Sequence, residues 1–139
     1  MCLLAVQYQL VPESPILVAA NREEYFDRPS LPPSIQSGKP RVLCGIDQKA
    51  GGTWLGVNQN GLFVGVCNRA TAMPLFGQRS RGSLVMDLLR CTSASRALDK
   101  ALSELSETQY EGCNLIIADA NAGYAIHSDQ RQEVVDLVP

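Results

Sequence analysis

The residue in this chain with the shortest route to chemistry is the cysteine that follows the initiator methionine, in "MCLLAV". Methionine aminopeptidase removes a methionine most readily when the next residue is small, as cysteine is. Cleavage would leave a thiol and a free α-amine on Cys2. Their reference pKa values, ~8.5 and ~7.7–8.0, are well matched at neutral pH. The amine can then act as general base toward its own side chain, directly or through water, which is the N-terminal nucleophile arrangement. It would allow hydrolysis in a chain whose only histidine is His127. The competing reading of Cys2 is a small hydrophobe at the head of a buried strand.

A second feature bears on that choice. "NREEYFDRP" sets an amide, a guanidinium and two carboxylates, Asn21, Arg22, Glu23 and Glu24, at the exit of the second apolar run. If the first two runs pair as a hairpin, the end of the second lies beside the start of the first. Cys2 and the charged cluster would then share one end of a sheet. An arginine there favours a thiolate, and a carboxylate can hold or orient the α-amine. The plain alternative is a turn with solvated charges.

The elements that must position these groups can be read from pattern. "CLLAVQYQL" and "PILVAANREE" predict two short strands separated by the turn-rich "VPES". Both are nearly all apolar rather than alternating, so both faces are expected to be covered. "DRPSLPPSIQSGKPR" has four prolines and no period, and reads as a loop, either a lid or a passive connection. "TWLGV" and "LFVGVCN" flank "NQNG", a hairpin turn with Gly61 free to take positive φ. In its second strand Leu62, Val64, Val66 and Asn68 share a face, which brings Asn68 to the strand's exit. "SLVMDLLR" and "SASRALDKALSEL" predict two helices, the second with an Ala/Leu stripe and Ser93 as N-cap. "NLIIA" and "YAIHS" flank a second turn, and "EVVDLV" begins a further strand. Strands, a helix pair and more strands predict an α+β fold in a single domain over residues 1–139.

Composition narrows the function classes. A net charge of −2 and the lack of a basic, aromatic-interleaved patch argue against nucleic acid. No apolar run reaches the ~18–20 residues of a spanning helix, and no charged n-region precedes the first apolar stretch. A cytoplasmic protein is the expectation. The five cysteines lie far apart in sequence with no C-x-x-C pair, so neither a zinc site nor a disulfide framework is expected. Most are expected to be buried apolar fillers.

Several of these motifs together resemble the NRDE family, the Transport and Golgi organisation 2 homologues. The resemblance rests on "MCLLAV", "LVAANREEYFDRP", "GGTWLGVNQNGLFVGVCNR", "SRGSLV" and "CNLIIAD", in order along the whole chain. "NREE" departs from the Asn-Arg-Asp-Glu signature at Glu23, which keeps the charge and adds a methylene. The resemblance implies an N-terminal nucleophile hydrolase fold, an α-β-β-α sandwich related to cysteine amidases such as penicillin V acylase and bile-salt hydrolase. It implies Cys2 as nucleophile, Arg22 and Glu23 as a supporting charged pair, and Asn68 or Asn114 as oxyanion donors. Arg69 and Arg81 are further cations that could meet a ligand's carboxylate or phosphate, with surface roles as the alternative. Family members run to roughly twice this length, so the chain is expected to be the N-terminal part of the family domain.

The leading expectation is a cysteine-dependent hydrolase of an amide or thioester, with a small acyl-containing substrate and no metal or organic cofactor. A second class is a non-catalytic carrier on the same scaffold, for haem, acyl-CoA or a lipid, since a fold does not fix a function. A third is a chain that folds as half of a domain.

Overall fold

The computed structural model describes residues 2–70 and 79–139. The chain opens with β1 (Leu3–Val11) and β2 (Ser14–Asn21), which pair antiparallel as a separate two-stranded ribbon. Next come β3 (Ser30–Gln36), β4 (Val42–Asp47), β5 (Leu55–Asn58) and β6 (Phe63–Asn68). Two helices follow, α1 (Arg81–Leu88) and α2 (Ala94–Glu107), then β7 (Cys113–Ala118), β8 (Gly123–Ser128) and β9 (Gln132–Asp136). Strands β3 to β9 form one antiparallel sheet in sequence order, with the helices inserted between β6 and β7.

Side-chain alternation builds three layers. Leu62 just before β6, Val64 of β6, Leu115 and Ile117 of β7 and Ile126 of β8 point to one face. There they meet Leu84, Val85 and Leu88 of α1 and the small-residue stripe Ala94, Ala97 and Ala101 of α2, all fully buried. Ser93 caps α2, its hydroxyl accepting from the Arg96 N–H, as the sequence predicts. The other face of the sheet receives the ribbon. The α-carbon of Gly65 presents its bare side to Leu4, and that of Gly123 to Tyr8, so β1 lies across β6 and β8.

The structure departs from the sequence reading in two places. The ribbon is covered on one face only. Leu4, Val6 and Tyr8 turn inward, whereas Leu3 and Leu17 are 65% and 42% exposed on the outer side, with Ala5 and Ala19 between them. The apolar pattern equips both faces for burial, but no described residue lies over the outer one. The proline-rich stretch is also not a loop or a lid. Its middle is β3, paired with β4 from Ser30↔Asp47 to Gln36↔Val42. Pro32 and Pro33 fall at the irregularity between Leu31 and Ser34 on an edge strand, where a missing N–H costs no ladder bond. Arg90 then clamps the following turn through the Ser37 and Pro40 carbonyls, each at 3.2 Å.

Candidate functional site

The ribbon's register decides where the amino-terminal chemistry sits. Leu3 pairs with Asn21, which brings Cys2 beside Arg22 at the end of the hairpin. Both residues line a cleft of about 480 Å³. Asn68 lines it too, because it is the exposed terminal residue of β6, after Val66 has turned its side chain the same way. The Cys2 thiol approaches the Glu23 carbonyl, with Sγ at 3.7 Å.

The remaining walls come from two loops and a helix end. The Arg22 guanidinium lies over the Trp54 ring, 4.7 Å from its centroid, a cation–π contact that keeps the charge at the cleft wall. Arg28 is gripped by Asp47, with Nε at 3.1 Å and Nη2 at 2.5 Å from Oδ2, and by Glu24 at 3.3 Å. Burial alone would raise the Asp47 carboxyl, but Arg28 and the N–H groups of Lys49 and Ala50 outweigh it and hold it below the usual carboxylate range. The N-terminus of α1 closes the far side, where Ser80 accepts from the Gly82 N–H at 3.1 Å. Arg81 reaches the Gly112 carbonyl and the Glu111 carboxylate, both at 2.9 Å. Among the described residues, Arg22 is thus the cleft arginine with an aromatic ring and no carboxylate as its partner.

The five sequence-derived site residues divide. Cys2, Arg22 and Asn68 converge on the cleft. Glu23 contributes its carbonyl beside the thiol, while its carboxylate turns to the Asn21 amide at 3.4 Å. That carboxyl ionises below the usual range, with the Asn21 amide among the groups that favour its charged form. Glu24, one residue on, is the acid of this pair that lines the cleft. Asn114 lies outside the lining. Its amide oxygen accepts from Arg69 at 3.2 Å and sits 2.8 Å from His127 Nδ1. Arg69 pairs with Asp129 at 3.1 Å, so it is occupied on the same side of the sheet. The removal of Met1 falls outside the described residues.

Trp54, Arg28, Asp47 and Ser80 were not legible as site residues. Their spacing in sequence is irregular, and only tertiary packing collects them. One signal was available: the single tryptophan of the chain follows directly on "GGT", a glycine pair that lets two backbones touch. Among the described residues no three His, Cys, Asp or Glu side chains form a cluster able to hold a metal.

A family model described as Transport and Golgi organisation 2 matches residues 1–139. The Transport and Golgi organization protein 2 homolog of Bos taurus is 32% identical over 129 residues, covering 88% of this chain and 46% of the relative. The Homo sapiens homolog is 32% identical over 126 residues, covering 86% and 45%. The chain therefore spans about half the length of the curated relatives it matches. Among solved structures, the C2A mutant of conjugated bile acid hydrolase from Clostridium perfringens superposes with a TM-score of 0.60 at 13% identity, covering 88% of this chain and 47% of that one. Penicillin V acylase from Agrobacterium tumefaciens gives 0.53 at 14% identity, covering 77% and 40%. At such identity the likeness is one of fold, and it fixes the α+β arrangement as N-terminal nucleophile hydrolase-like.

Proposed function

The chain belongs to the Transport and Golgi organisation 2 family, and from that premise we propose that it supplies the nucleophile half of a cysteine-dependent hydrolase acting on an amide or thioester. The observation that carries this reading is the convergence of Cys2, Arg22 and Asn68 on one cleft. A strand-end thiol on a hairpin, beside a guanidinium and an exposed side-chain amide, supplies the groups that acyl transfer uses.

In the proposed reaction, loss of Met1 frees the α-amine of Cys2. The amine takes the thiol proton as sulfur attacks the acyl carbon. The Asn68 amide donates to the oxyanion that develops, and Arg22 supplies positive charge to the same wall. Collapse of the tetrahedral adduct expels the amine or thiol leaving group, which takes its proton from the α-ammonium. Water then hydrolyses the acyl-cysteine thioester and returns the free thiol. Glu23, whose carboxylate turns to the Asn21 amide at the same strand end, orients the amine. Asn114 has no part in this scheme, since it lies outside the cleft lining.

Intact mass and N-terminal peptide mapping of the protein, paired with turnover of p-nitrophenyl acyl esters, acyl anilides and acyl thioesters, test the reading. Expected are a mature chain starting at Cys2, an acyl adduct on that residue, and loss of turnover in Cys2→Ala. Full activity in Cys2→Ala, or an active protein that keeps Met1, overturns it. Stoichiometric retention of an acyl ligand without turnover, unchanged in Cys2→Ser, replaces it with a carrier.

A further inference from the structure

Four arginines line the cleft, and three of them are matched by carboxylates. Arg28 is held by Asp47 and Glu24, and Arg81 by Glu111. Arg79 pairs with Asp87 and with Glu104, the latter at 3.1 Å, and reaches the Tyr110 hydroxyl at 3.2 Å. Arg22 differs from all three. Its guanidinium has the Trp54 ring as partner and, among the described residues, neither a carboxylate nor a side-chain hydrogen bond. The proposed reaction draws only on its charge and leaves its N–H donors unassigned.

The ring beneath Arg22 is itself fixed by backbone from two strands. The Val66 N–H of β6 donates to the Trp54 carbonyl at 2.9 Å. Gly45 of β4 turns its bare α-carbon to the ring, where a Cβ would lie 2.7 Å from Cζ2 and nearer still to Cη2. A cation–π contact engages the face of a guanidinium, while its five N–H donors lie in its plane. Stacking on a fixed ring therefore orders the group and leaves those donors for a ligand, so less freedom is lost when an acceptor docks. The N-terminus of α1 on the far wall is already served. The Gly82 N–H goes to the Ser80 hydroxyl and the Ser83 N–H to the Ser80 carbonyl, each at 3.1 Å.

We propose that Arg22 on its Trp54 platform is a carboxylate-binding subsite, and that the molecule taken by this cleft carries a carboxylate besides its acyl group. A carboxylate meets the planar fork of a guanidinium with two parallel hydrogen bonds. One negative charge suits these walls better than a dianion such as phosphate, since Glu24, Asp47 and Glu111 line the same cleft. The volume of about 480 Å³ accommodates a small molecule. Besides Cys2, the apolar side chains of the lining are Ala50, Trp54 and Val66, which favours a short, polar ligand over a long alkyl chain. The subsite stands on the geometry and charge of the cleft; that its ligand is the substrate rests on the acyl-transfer reading.

The test is titration of the full chain carrying Cys2→Ala with succinamate and with succinamide. The two ligands share size and an amide and differ by one carboxylate, and the variant lacks the thiol that would turn either over. Calorimetry gives the affinities, and the indole N–H resonance of Trp54, the only tryptophan, gives the place. Expected is saturable succinamate binding that moves this resonance and is at least about tenfold tighter than succinamide, the worth of one charge-assisted hydrogen bond. Arg22→Gln should erase that margin. Equal affinities, no saturable binding of succinamate, a margin that survives Arg22→Gln, or inorganic phosphate bound as tightly as succinamate overturns the proposal. The comparison of two ligands on one protein does not depend on the Arg22 variant folding. A margin for succinamate, beside wild-type protein that turns over no acyl probe, would sink the hydrolase reading and leave the subsite standing. Turnover without a margin does the reverse.

Discussion

At the scale of single residues, the cleft arginines differ in what holds them. Arg28 and Arg81 are tied to carboxylates, while Arg22 lies over the Trp54 ring in the cleft lining. Arg22→Gln is expected to cost about 0.5–1 kcal/mol of stability, the worth of an exposed cation–π contact. It should also shift the emission of Trp54, the only tryptophan, so fluorescence reads this contact directly. Unchanged emission would mean that the guanidinium does not rest there in solution. Asp119 shows the opposite use of charge. Burial alone would raise its carboxyl, but the N–H groups of Ala94, Asn121 and Ala122 outweigh that and hold it below the usual range. Its Oδ2 lies 2.6 Å from the Ala94 nitrogen at the start of α2. Because the folded-state pKa is depressed, the stabilisation is complete above the unfolded value of about 3.9. It is lost as pH falls through the folded pKa. Asp119→Asn should therefore cost about 1–3 kcal/mol at neutral pH and flatten the acid limb of urea-midpoint measurements. An equally steep limb in the variant would assign acid sensitivity to other carboxylates.

At the scale of elements, the cleft depends on where α1 begins. Thr53 donates its N–H to the Gly82 carbonyl at 3.1 Å, joining the "GGT" turn to the first turn of the helix. Gly51 and Gly52 both have positive φ, +73° and +79°, but their surroundings differ. A Cβ on Gly51 meets nothing within 4 Å, whereas one on Gly52 falls 2.2 Å from the backbone of Gly82. Gly51→Ala is expected to cost only the left-handed backbone term, about 1–2 kcal/mol. Gly52→Ala must pay that and also displace the helix end that carries Ser80 and Arg81, so its urea midpoint should fall clearly further. Equal midpoints would mean that the joint yields cheaply. Asn58 ties the other end of α1. Its amide donates to the Leu89 and Cys91 carbonyls at 2.9 and 2.8 Å, and its oxygen accepts from the Asn60 and Leu62 N–H groups. It ends α1 and closes the β5–β6 turn at once.

At the scale of the whole molecule, a helix pair, a seven-stranded sheet and a two-stranded ribbon are stacked, and the ribbon's outer side is open and apolar. A site built at the end of that ribbon inherits its exposure, since Cys2 and Arg22 are the residues just beyond its last pair. Leu17→Lys places a charge on the open side. It is expected to change stability by about 0.5 kcal/mol or less while reducing self-association in sedimentation velocity. A loss of several kcal/mol would show that this face is covered in solution.

The sequence by itself determined the helices, with Ser93 as cap, both turn-centred hairpins, the position of Asn68 at a strand exit, and the meeting of Cys2 with "NREE". These rest on local periodicity, capping and turn chemistry, and on one short-range pairing between neighbouring runs. It also carried the family likeness, because its motifs keep their order along the whole chain. Only the tertiary structure decided that the proline-rich stretch is an edge strand, since pairing with β4 supplies what propensity withholds. It alone decided that the ribbon buries one face, that Asn114 is held by Arg69 and His127, and that Trp54, Arg28 and α1 complete the cleft. Those outcomes depend on which surfaces meet across long loops, and composition and spacing carry no record of that.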